Sequence, residues 1–282
     1  MSNNLLLNRL FTRNIFVDLI NENDNTLFEN CVERYVENYT SMSNKALISE
    51  IYNYLNKEYR NEYYYKNTLL NKLLLGRHSL NTTTALTEIP INKSKVDFVL
   101  INGKATAYEI KTDLDTFDRL NNQIEDYYKA FNHVCLVTSE SNYPKAKRMF
   151  TDTKIGICVL TSRNTISTRQ DPQEDNSKLE YDVMFKMLRK NEFESLLLTH
   201  FGELPVTTQF SYYTECFKWF TKIDKGTAYK YMLTQLKQRS LTEKEEYEKV
   251  PYELKFMVYF SKFRKNDYYK LNNFLNGEWR EQ

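Results

Sequence analysis

The segment that most restricts the fold of this chain lies between residues 96 and 111. Val96-Asp97-Phe98-Val99-Leu100-Ile101 is apolar and β-prone apart from its aspartate, and Asn102-Gly103 follows at once. Asn-Gly beside such a run is the strongest short hairpin signal, because a tight type I′ turn needs positive φ at both central positions. Ala105 to Lys111 then reads as the returning strand. Side chains alternate along a strand, so Glu109 and Lys111 share one face while Tyr108 and Ile110 take the other. The hairpin carries Asp97 toward them. Two carboxylates converging beside the Ile110 carbonyl form the hard-oxygen donor set that Mg²⁺ prefers. Lys111 is placed to orient a water or to offset charge developing on a phosphate.

The flanking pattern sets this hairpin in a mixed sheet. Thr84 to Ile89 is strand-like, and Asp115 to Phe131 reads as an amphipathic helix with Asp115 as its N-cap. Val134 to Thr138 is a buried-type strand, Pro144 opens a short helix through Phe150, and Ile155 to Leu160 is a last strand. Strands alternating with helices predict an α/β core, a mixed β-sheet flanked by helices.

Helical regions are expected on both sides of that core. In residues 1–80, Leu47, Ile48, Ile51, Tyr52 and Leu55 recur at helical spacing behind a capping Ser43, and a leucine run ends at Gly76. A polar linker, Arg169 to Ser177, separates the core, 81–170, from a helical C-terminal domain, 171–282. Only 6 Gly and 5 Pro in 282 residues fit a helix-rich chain with short connections.

The spacing of Asp97 and Glu109-Ile110-Lys111 resembles the PD-(D/E)XK nuclease superfamily, over roughly residues 86 to 161. The resemblance implies a restriction-endonuclease-like fold, Asp97 and Glu109 as metal ligands with the Ile110 carbonyl, and Lys111 as the catalytic lysine. Val96 stands where the family pattern has proline. Gln123 and Tyr127, on the helix after the Glu-x-Lys strand, are similar to the Gln-x-x-x-Tyr element of the RecB-like and archaeal-resolvase-like branches. Arg119, Gln123 and Tyr127 recur at i, i+4 and i+8, a polar stripe that would face the site. On this reading Gln123 supports the lysine, while Arg119 and Tyr127 contact substrate. Glu88 is the expected further metal ligand, with Glu50 as its competitor. His78, after Gly76-Arg77, is a weaker candidate for substrate contact.

The resemblance therefore implies a Mg²⁺- or Mn²⁺-dependent nuclease acting on nucleic acid, DNA before RNA. The competing expectation is a catalytically silent nuclease-fold nucleic-acid-binding or interaction protein of a phage or mobile element; in a purely structural role Lys111 would neutralise Asp97 or Glu109. A net charge of +2 argues for neither. Three scattered histidines and four cysteines without ligand spacing exclude a zinc cluster and a disulfide framework. The cysteine usage and the lack of a sustained apolar run predict a cytoplasmic protein with no membrane segment. The C-terminal helices are the expected surface for a homodimer or a protein partner.

Overall fold

The computed structural model describes residues 4–279 apart from 22, 24, 77, 78 and 240–242. Six strands form one sheet in the order β1-β2-β3-β4-β5-β6. They are β1 (Thr84–Ile91), β2 (Ser94–Asn102), β3 (Lys104–Lys111), β4 (His133–Ser139), β5 (Gly156–Leu160) and β6 (Ile166–Gln170). The β1–β2, β2–β3 and β5–β6 pairs are antiparallel, while β3–β4 and β4–β5 are parallel. The Asn-Gly turn joins β2 to β3, with Gly103 at φ +71° where a side chain would be strained.

One face of the sheet carries Phe98, Leu100, Ile110, Cys135 and Val137 into a core shared with the N-terminal helices. These are α1 (Leu5–Leu10), α2 (Arg13–Ile20), α3 (Thr26–Tyr35), α4 (Asn44–Glu58) and α5 (Glu62–Leu69). The predicted α4 face, Leu47 to Leu55, is buried, and the Ser43 side chain accepts from the Ala46 N–H at 3.3 Å. A π-helical stretch, Leu70–Leu75, continues α5.

The other face, with Val99, Ile101, Ala107, Val134 and Leu136, packs against α6 (Leu120–Tyr128) and α7 (Tyr143–Met149). Helices α8 (Tyr181–Lys186), α9 (Lys190–Phe201), α10 (Tyr212–Phe220) and α11 (Lys225–Lys237) join that second core. The last three, α12 (Lys244–Glu248), α13 (Lys255–Ser261) and α14 (Lys265–Asn276), return to the first. The region after the linker, read from the sequence as one C-terminal domain, is thus divided between the two faces. Helices α8 to α11 pack chiefly on one another, and α12 to α14 pack on one another and on the N-terminal helices.

Two local expectations change. Asp115 does not cap a helix, because its carboxylate accepts from the Thr112 N–H at 2.9 Å and from the Thr112 hydroxyl at 2.7 Å. That bond closes the loop after β3, and α6 begins only at Leu120. Strand β6 reaches into the predicted linker. It is a mostly exposed edge strand without apolar alternation, so periodicity could not reveal it. No helix among the described residues is long and apolar enough to cross a membrane. All four cysteines are buried, and the Cys135 and Cys158 sulfurs stand 3.5 Å apart, a thiol hydrogen bond rather than a disulfide.

Candidate active site

The sheet opens at Asp97. The β1–β2 register runs from Thr87↔Phe98 to Ile89↔Val96 with no pair recorded between, and β2–β3 pairing ends at Phe98↔Tyr108. Glu88, opposite Asp97, takes the left-handed backbone conformation at φ +55°. Such strain in a non-glycine residue persists only where its surroundings enforce it. Other bonds replace the ladder. The Thr87 hydroxyl donates to the Asp97 carbonyl at 2.6 Å, and the Ile110 N–H donates to Asp97 Oδ2 at 2.8 Å.

Beside this opening stand Glu109 and Lys111, on the shared face that alternation predicts. The Lys111 ammonium lies 2.9 Å from Glu109 and donates to Gln123 Oε1 at 3.1 Å. Glu109 is 1% exposed. It also accepts a short bond from the Tyr127 hydroxyl, which lies 2.9 Å from the Lys95 carbonyl. Tyr127, expected to touch substrate, is fully buried. It braces Glu109 from behind and cannot reach a ligand. Gln123 and Arg119 do line the cleft, Arg119 from the cap position just before α6.

The structure adds Glu62 and Lys66, which the sequence reading passed over. Carboxylate oxygens of Glu62, Glu88 and Asp97 lie within 4.8 Å of one another. Lys66 pairs with Glu62 at 2.6 Å and with Glu88 more closely still, and Lys95 reaches Glu88 at 2.9 Å. Glu50, the competing candidate, is exposed on α4, and the acid delivered by the N-terminal helices is Glu62 instead. The sequence carried no periodic signal for Glu62 and Lys66. Residues 63–69 of α5 are buried consecutively, so this helix is enclosed all round. Lys66 lies inside that buried stretch, whereas Glu62, just before it, is exposed. His78 lies outside the described residues.

The electrostatics make Asp97 the uncomfortable member. Burial, with the Glu109 carboxylate close by, pushes its carboxyl up to about 8, against the pull of Lys66 and the Ile110 N–H. Burial acts on Glu88 in the same direction, but the Lys66 and Lys95 ammonium groups outweigh it and hold Glu88 below the usual carboxylate range. Burial would also push Lys66 down, and Glu62 and Asp97 reverse that, leaving it raised. The cleft in front measures about 1040 Å³ and is lined by Lys93, Lys95, Arg119 and Asn92 among others. Asp126 fixes its rim, accepting from Asn92 at 2.6 Å and from Ser94 at 2.7 Å. Glu62, Glu88, Asp97, Glu125 and Asp126 line the same cleft and outnumber its three cations, a set that suits a divalent cation, while Lys93 and Arg119 offer charge to an anionic chain.

Among known families, the model for bacteriophage P4 protein cII matches residues 55–252, well over half of the chain. The chain belongs to the phage P4 cII family. Every site residue named above, from Glu62 to Tyr127, lies inside the cII match, whereas α1 to α3 and α13 to α14 lie outside it. A comparison with curated proteins gives no match. One similar solved structure is the SPO1766 protein of unknown function from Silicibacter pomeroyi. It is 11% identical, covers 46% of this chain and 87% of its own, and has a TM-score of 0.29. That likeness is too slight to carry an argument.

Proposed function

We propose that this chain is a PD-(D/E)XK-type nuclease, dependent on Mg²⁺ or Mn²⁺, that hydrolyses phosphodiester bonds of nucleic acid, DNA before RNA. The observation that carries the reading is the meeting of Asp97 with Glu109 and Lys111 where the ladder opens, beside a cleft lined by further carboxylates and by Lys93, Lys95 and Arg119. The donor set fits a hard cation. Asp97, Glu62 and Glu88 offer converging carboxylate oxygens, and a Glu109 side chain bound by Lys111 and Tyr127 stands behind Asp97. Asp97, protonated up to about pH 8 by its surroundings, is relieved of that cost when a cation stands beside it.

A divalent ion held there supplies water activation and charge neutralisation at the scissile phosphate. The chain supplies the remainder. Glu109 and Gln123 engage two of the Lys111 ammonium protons and leave the third available to an attacking water or a phosphate oxygen. Arg119, Lys93 and Lys95 at the cleft mouth hold the flanking phosphates.

One observation favours a second reading. Lys66 already neutralises Glu62 and Glu88, and Lys111 neutralises Glu109, so the cluster is compensated without metal. On that reading the chain is a silent nuclease-fold protein of a phage or mobile element that binds nucleic acid without cutting it. Calorimetry with Mn²⁺ or Mg²⁺ separates the two, run beside cleavage of single-stranded, branched and duplex DNA and of RNA. We expect metal binding and metal-dependent cleavage that disappear together in Asp97→Ala/Glu109→Ala. A wild type that binds no metal even with DNA present removes the nuclease and leaves the binding protein.

A further inference from the structure

Glu62 is shared by two cavities of unlike chemistry. On one side is the cleft with Lys93, Lys95 and Arg119. On the other, a second cavity of about 500 Å³ is walled by Tyr59, Phe256 and the amides of Asn8 and Asn61, with the buried Tyr63 stacked on Phe11 behind them. Its floor, Thr112, Leu114 and Asp115, is the loop that directly follows Lys111. The loop is rigidly set. Asp115 binds both polar groups of Thr112, and Asn142 Nδ2 donates to the Thr112 carbonyl at 3.0 Å.

The second cavity is poorly suited to phosphate. Its one lysine, Lys66, is committed to Glu62 and Glu88, and the Glu62 and Asp115 carboxylates repel an anion. Its walls suit a flat heterocycle instead. Asn61 Nδ2 donates to Asn8 Oδ1 at 2.9 Å, and Asn8 Nδ2 donates to the Tyr59 hydroxyl at 3.1 Å. That relay fixes the Asn8 amide and the Tyr59 ring while leaving each with a further proton to donate. Aromatic surface beside oriented donors is the chemistry that holds an unpaired base. The volume lies within the ordinary range for small-ligand pockets.

We infer that this cavity receives the base of the nucleotide adjoining the scissile phosphate, so that the substrate is unpaired at the point of cutting. The inference rests on the nuclease reading of the Asp97 site. Phosphates run past Lys93 and Arg119 in the metal-loaded cleft, the scissile group stands at Asp97 and Lys111, and the next base turns past Glu62 into the aromatic cavity. A paired base cannot enter without leaving its stack, which disfavours intact duplex.

Equilibrium binding tests this on the full chain in EDTA, where no cleavage intervenes. The probes are fluorescent oligothymidylate, a strand of the same length made wholly of abasic residues, and blunt duplex. We expect oligothymidylate to bind roughly tenfold or more tighter than the abasic strand, and tighter than duplex. Asn8→Ala and Tyr59→Ala are expected to erase most of that preference, while abasic-strand binding, the control for folding, stays at the wild-type level. A preference for bases that survives both substitutions overturns the cavity assignment, as does duplex binding equal to that of the single strand. Loss of binding to all three probes in the wild type removes the nucleic-acid reading itself, a separate outcome.

Discussion

Replacing Asp97 by asparagine isolates the electrostatic cost built into the site. Asparagine keeps a carbonyl oxygen for the Ile110 N–H but cannot ionise. In the wild type, the folded carboxyl titrates at about 8 against 3.8 ordinarily, because burial and Glu109 disfavour its charge. Between those values the folded chain holds a proton that the unfolded chain has released, so stability falls as pH rises through the window. Each pH unit is worth about 1.4 kcal/mol, hence roughly 4 kcal/mol from pH 5 to pH 8 if burial acts undiminished. The cleft is open to water, so we expect about half of that, roughly 2 kcal/mol. Urea denaturation at intervals from pH 5 to pH 8 in EDTA, followed by Trp219 and Trp279 fluorescence, measures it. Asp97→Asn should gain on the wild type at every step. Excess Mn²⁺ should flatten the wild-type slope, since a bound cation favours the ionised carboxylate. Parallel wild-type and Asp97→Asn profiles in EDTA would refute the argument that Asp97 is held against its charge.

Three further substitutions probe the supports of the site and fold. Tyr127→Phe removes a buried donor from Glu109 and should cost about 1–3 kcal/mol of stability in denaturant titration; an unchanged midpoint would mean Glu109 does not depend on it. Arg239→Ala strands Glu192, which is 5% exposed and bound by Arg239 Nε at 2.6 Å, so a loss of about 3–5 kcal/mol is expected. A loss under about 1 kcal/mol would show that water reaches Glu192. Gly156→Ala sets a methyl 2.7 Å from Pro172 Cδ where the chain leaving β6 crosses β5; the expected cost is about 1–3 kcal/mol by thermal melting, and a neutral result would mean Pro172 yields freely.

Local chemistry made the centre of the molecule readable. The Asn-Gly turn, the apolar β2 run and period-two alternation place Glu109 and Lys111 on one face and bring Asp97 beside them, because each depends on neighbours only a few residues away. The α4 face and its Ser43 cap were legible for the same reason. Reading failed where a contact that no apolar period encodes decided the outcome. Asp115 looks like a helix cap until Thr112 turns toward it, and β6 has no apolar rhythm because an edge strand is held mainly by its neighbour's backbone. Tyr127 reads as one of a polar stripe, yet packing puts its ring inside the core and its hydroxyl on Glu109. Glu62 and Lys66 lie more than twenty residues before Glu88, on a helix whose burial on all sides follows only from the packing of α13 and the sheet around it. The β2–β3 hairpin that carries Asp97, Glu109 and Lys111 is thus a property of one short stretch of sequence. Tertiary packing alone decides which carboxylates join Asp97, where the lysines neutralise them, and that an aromatic cavity opens beside the site, because those contacts join segments that no local pattern links.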